Sequence, residues 1–220
     1  STAVLFAGRP LPDGADCAVI DTESRGLSPR DAAAAMDRAC AEVDFARYKY
    51  VLKKVDSTLR GNIAAELQAM DRAFAPELVI FAPALPDLGR TTEGGVHRLK
   101  GVPITRTELA RDPKKPVRED NLAALLREVY TEPVTHVGLD AVRSGGYLGL
   151  ERGRVFSFDA VTNEDMRRII GAARSTGRRV LWVGTAAMAD NLMELERRTP
   201  PVLGVVSSVS DVAGTQVRAA

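Results

Sequence analysis

The sequence predicts an α/β protein: three α/β/α layers on a mainly parallel sheet, with a small β-hairpin projecting from it. Apolar strand-like runs alternate with segments of helical period along the 220 residues, without internal repeat or low-complexity tract. The run Leu78-Val79-Ile80-Phe81-Ala82 has no polar side, as a strand covered on both faces requires. Polar residues collect where strands hand over to helices, the place where open α/β sheets form a crevice.

In chain order, Ala3 to Phe6 reads as a short strand, and Cys17 to Ile20 as a buried one ending on the polar tip Asp21-Thr22-Glu23-Ser24-Arg25. Ser28-Pro29 supplies an N-cap with proline at the first helical position, and Met36, Cys40 and Val43 give the following helix one core face. Tyr48 to Leu52 is aromatic and β-branched, hence a strand, and a helix is expected from Gly61 to about Phe74. After Leu78 to Ala82, a third polar tip runs through Arg90, Thr91 and Thr92. Val96 to Ile104, centred on Lys100-Gly101, reads as the hairpin, and Thr105 to Pro116 as an ordered loop or lid. Helical spacing returns over Asp120 to Tyr130, followed by a strand over Val134 to Leu139 and one over Arg154 to Phe158 with a wetter side. Thr162 caps a helix whose apolar face is Met166, Ile169, Ile170 and Ala173; Val180 to Val183 is a buried strand turning into a helix after Gly184. Pro200-Pro201 marks a domain boundary, so residues 1–199 form one domain and 200–220 begin another with the strand Val202 to Val206.

Composition narrows the function. Thirty basic against twenty-nine acidic residues argue against a nucleic-acid partner held by bulk charge. No apolar run reaches the length of a membrane span and no signal peptide is visible, so no membrane partner and a cytoplasmic location are expected. Cys17 and Cys40 read as small core residues; with His97 and His136 far apart, no metal site is expected.

The densest chemistry lies in Lys53-Lys54-Val55-Asp56-Ser57-Thr58-Leu59-Arg60-Gly61-Asn62, too polar for unpaired burial and followed by a helix N-terminus that favours anions. This stretch resembles the K-K-x-D-S-T-L-R-G-N signature of the four-carbon acid sugar kinases. Asp21 to Arg25 resembles that family's D-T-x-S-R motif, Pro83 to Thr92 its P-A-x-P-x-x-G-R-x-T motif, and Ala110-Arg111-Asp112-Pro113 its A-x-D-P. The resemblance implies an N-terminal sugar-acid domain and a C-terminal nucleotide domain. It further implies ATP-dependent phosphorylation of a hydroxyl of threonate, erythronate or 3-oxo-tetronate, with Mg2+ as companion of ATP. The partners expected are therefore a sugar acid and ATP, with a homodimer as candidate assembly.

The expected catalytic set is Lys53, Asp56 and Arg60. Substrate contacts are expected from Ser24, Arg25, Lys54, Ser57, Thr58, Asn62, Arg90, Thr91 and Thr92, because arginines grip carboxylates and hydroxyl or amide groups meet alcohols. Ser208, in a turn resembling G-S-x-S but with Ser207 for glycine, is the expected ATP contact. Gly184-Thr185-Ala186-Ala187 departs from the family's G-S-x-G, which weakens a phosphate contact there. No D-D-x-T-G-A segment is present, so the chain is expected to be part of a longer protein whose base lies elsewhere. A non-catalytic sugar-acid-binding domain is the competing reading. An isomerase or aldolase is a third; Lys53 leaves a Schiff base open to it, while the metal cluster it would otherwise use is absent.

Overall fold

The computed structural model describes residues 2–6, 14–113, 115–145 and 149–195, together with the backbone of 202–206. The strands are β1 (Thr2–Phe6), β2 (Cys17–Asp21), β3 (Tyr50–Lys54), β4 (Leu78–Ala82), β5 (Arg90–Glu93), β6 (Val96–Leu99), β7 (Val102–Pro103), β8 (Val134–Val137), β9 (Val155–Phe158), β10 (Val180–Gly184) and β11 (Val202–Val206). The helices are α1 (Pro29–Ala41), α2 (Ile63–Phe74), α3 (Leu122–Arg127), α4 (Leu139–Ser144), α5 (Asn163–Ser175) and α6 (Ala186–Glu194). One sheet runs β1-β2-β11-β3-β10-β4-β9-β8, and every neighbouring pair in it is parallel.

Alternation along the central strands makes the three layers. Val51, Val79 and Leu181 pack with α1, α2 and α3, while Leu52, Ile80 and Trp182 pack with α5 and α6 on the other face. The helix signals hold locally. Ser28 Oγ accepts the Asp31 N–H at 3.2 Å, and Thr162 with Asp165 forms a reciprocal capping box. Helix α1 ends at Ala41, so Val43 lies past it, though still packed against the core.

Four expectations change. β9 has no wet side, because β4 and β8 flank it and both its faces are covered. Helix α4 occupies the chain after Gly138, where the sequence reading placed the end of a strand and no helix. The hairpin gains a third strand: β5, β6 and β7 form an antiparallel sheet, joined by Gly94-Gly95 and Lys100-Gly101. Gly94 and Gly95 have φ of 62° and 77°, the pair of positive values that a tight two-residue hairpin turn requires. Finally, β11 does not open a separate sheet. Its backbone pairs with β2 and β3, which suits an apolar run without polar alternation.

The C-terminal end of β10 tolerates no side chain. A Cβ on Gly184 would lie 2.7 Å from Met188 Cβ and 2.9 Å from the Ala82 carbonyl oxygen. Gly184→Ala is expected to destabilise the fold by roughly 1–3 kcal/mol, as overpacking does. A denaturant midpoint unchanged from that of the parent chain would contradict this.

Candidate functional site

The polar tips of β2 and β3 and the β5–β6 hairpin meet beyond the carboxyl ends of the central strands. The two lysines that end β3 cannot share a task, because successive strand residues face opposite sides. Lys53 points into the α1/α2 layer, has no exposed surface, and pairs with Glu66 of α2 at 2.7 Å. Its ammonium also donates to the Lys54 carbonyl at 3.0 Å. Lys54 is mostly buried, and among the described residues its ammonium has no hydrogen bond or ion pair. Burial pushes its pKa down; the Asp56 charge opposes this, and Lys53 and Arg25 add to it.

Asp56 organises the loop that follows. Its Oδ2 accepts Thr58 N–H at 3.3 Å, Arg60 N–H at 3.4 Å, Arg60 Nε–H at 3.0 Å and the Thr58 hydroxyl. Its Oδ1 accepts Arg25 Nη2–H at 3.0 Å and Arg60 Nη2–H at 3.5 Å. Leu59 takes φ 57° between them and turns its side chain into the core. Burial alone would raise the Asp56 pKa. Hydrogen bonds from Arg60 and Thr58 and the charges of Arg25 and Arg60 outweigh it and hold the carboxyl below its ordinary value. A carboxylate so engaged is a poor proton acceptor. Asp56, expected in the catalytic set, is committed in this structure to orienting two arginines. Arg60 is itself held by Asp56 and faces Asp112 at 3.6 Å, whereas Arg25 keeps an Nε–H without a partner.

Several expected contacts lie under the site instead of at its surface. Ser24 is fully buried and donates to Glu66 Oε1 at 2.6 Å, while sharing a 2.8 Å bond with Thr22. Asn62 donates to the carbonyls of Ser24 and Leu27 at 2.9 and 3.0 Å and accepts from Lys115 Nζ at 3.0 Å. Thr58 is 5% exposed, with its hydroxyl given to Asp56. Thr92 has no exposed surface and faces His97 Nδ1 at 3.0 Å. These placements share one cause: a strand tip must satisfy its own buried polar groups before offering any to a ligand. The residues left at an accessible surface are Arg25, Lys54, Ser57, Arg60, Arg90 and Thr91, each partly exposed.

The sequence reading gave no role to five residues that hold the site. Glu66 receives Lys53 and Ser24, Lys115 ties the loop after Pro113 to Leu27 and Asn62, and Asp112 faces Arg60. Asp159, at the end of β9, accepts the Gly94 and Gly95 N–H groups at 2.8 and 2.9 Å and so anchors the hairpin turn. His97 joins Thr92 to the Ser57 carbonyl. Glu66 carried a signal, since Ile63, Glu66, Leu67 and Met70 follow core-face spacing and an acid there demands a buried cation.

A cavity of about 650 Å³ opens beside the α2 N-terminus, bordered by Leu59, Gly61, Asn62, Ile63, Lys115 and Arg118. Thr185 turns its hydroxyl inward to the Ala84 carbonyl at 2.7 Å and offers nothing to a phosphate. Ser208 lies outside the described residues. Among the described residues no group of three His, Cys, Asp or Glu side chains is placed to hold a metal, and no helix is long and apolar enough to cross a membrane.

A family model described as the sugar-binding N-terminal domain matches residues 1–192. A D-threonate kinase of Salmonella typhimurium is 38% identical over 228 residues, covering 98% of this chain and 54% of that protein. A D-erythronate kinase of Heliobacterium modesticaldum is 30% identical, covering 96% of this chain and 52% of its own. The chain thus spans about half the length of the curated relatives it matches. Among solved structures, a domain of unknown function from Bordetella bronchiseptica, a domain-swapped dimer with bound citrate, superposes with TM-score 0.70. It is 27% identical, over 86% of this chain and 49% of that one.

Proposed function

The chain belongs to the sugar-binding N-terminal domain family, and from that premise we propose that it binds a four-carbon sugar acid for phosphorylation by ATP. The observation that carries this reading is the cation cluster at the converging tips: Lys54 without a partner in the field of Asp56, and Arg25, held by Asp56, with a free Nε–H. Lys54 and Arg25 take the carboxylate, Arg90 adds a third cation, and Ser57 and Thr91 meet the hydroxyls. The citrate of the Bordetella bronchiseptica structure, another hydroxy acid, supports that chemistry. Lys53, Ser24, Asn62 and Thr92 act beneath the site as supports.

The relatives are named as kinases of D-threonate and D-erythronate, and ATP enters this reading as phosphoryl donor through family resemblance. Among the described residues no cluster of magnesium ligands is placed, and Ser208 lies outside them, so Ser208 and Mg2+ enter this reading through family resemblance alone. A homodimer is the proposed assembly, supported by the dimeric Bordetella bronchiseptica structure, and the cytoplasm the proposed location.

Calorimetric titration of the 220-residue chain tests the proposal, with D-threonate, D-erythronate and the uncharged polyol erythritol. Saturable binding of an acid, and none of erythritol, is expected. Lys54→Met should weaken the acid's affinity about ten- to hundredfold, the value of a charge-assisted hydrogen bond. Absence of saturable binding to either acid would overturn the reading. A second reading, a sugar-acid-binding domain without catalysis, is favoured by the full commitment of Asp56, the carboxylate of the expected catalytic set. No ADP release is expected from the 220-residue chain alone. ADP release from the full-length protein with the bound acid decides for the kinase, and its absence there for the second reading.

A further inference from the structure

We infer that His97 is a positioning residue: a neutral imidazole that fixes the β5–β6 hairpin against the Asp56–Asn62 loop through the Ser57 carbonyl. The inference deepens the sugar-acid reading, because the two segments it joins carry the proposed substrate contacts.

His97 has no exposed surface, and its Nε2 lies 2.9 Å from the Ser57 carbonyl oxygen. A carbonyl can only accept, so Nε2 carries the proton. In the neutral ring Nδ1 is then an acceptor, and Thr92 Oγ1–H donates to it at 3.0 Å. Burial is the main influence on the ring's charge and lowers its pKa to about 4, with Arg90 adding to it. The Ser57 bond and the charges of Asp56 and Asp120 pull the other way without prevailing.

The bond acts on one peptide group. The Ser57 carbonyl is held by His97, and the Thr58 N–H of the same peptide is held by Asp56 Oδ2 at 3.3 Å. Rotation of that peptide would break both bonds, one of which helps hold the carboxylate that aligns Arg25 and Arg60. The other end of the link is equally fixed. Thr92 exchanges backbone hydrogen bonds of 2.9 and 3.1 Å with Ala160, and Asp159 holds the hairpin turn. Arg90 and Thr91 sit on the same strand as Thr92. His97 therefore sets the spacing between Arg25, Lys54 and Ser57 on one side and Arg90 and Thr91 on the other. A ligand only four carbons long can bridge two such groups at one spacing and not at another.

The test uses the 220-residue chain with His97→Phe, which keeps ring volume without a donor, and His97→Gln, which keeps an N–H at a similar reach. Nitrogen NMR of the wild-type imidazole is expected to show the neutral Nε2–H tautomer from neutral pH down to about pH 5. In His97→Phe, amide exchange of Thr58 and Arg60 should accelerate about tenfold or more, the equivalent of one hydrogen bond, with β4 and β10 amides unchanged. His97→Gln should restore protection to within about threefold of wild type. D-threonate affinity should follow the same order. An Nδ1–H tautomer, unchanged Thr58 exchange in His97→Phe, or equal acceleration in both variants would overturn the inference. If the wild-type chain binds no four-carbon acid, the sugar-acid reading fails, while tautomer and exchange still decide the role of His97.

Discussion

Lys53→Met is expected to lower the free energy of unfolding by about 3–5 kcal/mol, the usual result of leaving one member of a buried ion pair alone. Lys53 and Glu66 are 0% and 1% exposed and 2.7 Å apart, so Glu66 would keep a charge that neither water nor another cation reaches. Ser24 donates to the other Glu66 oxygen, and one hydroxyl cannot neutralise a carboxylate. The pair itself is a weak source of stability, because both groups lose hydration on burial. The double variant Lys53→Met with Glu66→Gln removes both charges and keeps an acceptor for Ser24. It should therefore recover most of the loss, to within about 1–2 kcal/mol of the parent. A four-member denaturation cycle reads this directly. A loss below about 1 kcal/mol for Lys53→Met would mean that water enters the pair. The same proteins test whether Lys53 touches a ligand. As a support it should leave sugar-acid affinity near wild type in the double variant, whereas a ligand role would abolish binding in both.

This pair also shows where sequence reasoning reached its limit. The strand β3 and the polarity beyond it were legible, because Tyr50 to Leu52 is apolar and the next ten residues are not. The strand was read only to Leu52, so the alternation that sends Lys53 and Lys54 to opposite faces was not applied to them. What separates the two was not legible either. It depends on Glu66, which arrives from the next helix, and on which face α2 covers. Arg90 to Thr92 read as a loop tip because its residues are polar, yet they form a strand whose partner His97 lies beyond a Gly-Gly turn. The position of β11 between β2 and β3 is a long-range pairing, and an apolar run fits any covered slot equally well. Local pattern named the elements and the tips; nonlocal pairing chose which tip residues are exposed.

Acidification separates the buried imidazole from the carboxylates around it. His97 has a folded-state pKa of about 4 against 6.5 for a free imidazole, so between those values the unfolded chain binds a proton that the folded chain refuses. Stability must then rise with pH across that window and fall as pH drops through it, by about 3 kcal/mol in all. Asp56, Asp159 and Asp165 behave differently. Each is held below the ordinary carboxylate value, by hydrogen bonds and charge that outweigh burial, so each contributes stability above about pH 4 that is lost only on further acidification. Denaturation midpoints taken at closely spaced pH values should show a loss beginning near pH 6.5, well above the carboxylate range. His97→Gln should start from a lower stability at neutral pH, because it packs less well, yet remain flat down to about pH 4 before it too declines. The slope carries the information, since whatever else titrates is common to both proteins. Parallel curves for the two proteins between pH 6.5 and 4 would show that His97 is hydrated in the folded state. The 2.9 Å bond to Ser57 could not then be the dry contact that aligns the loop.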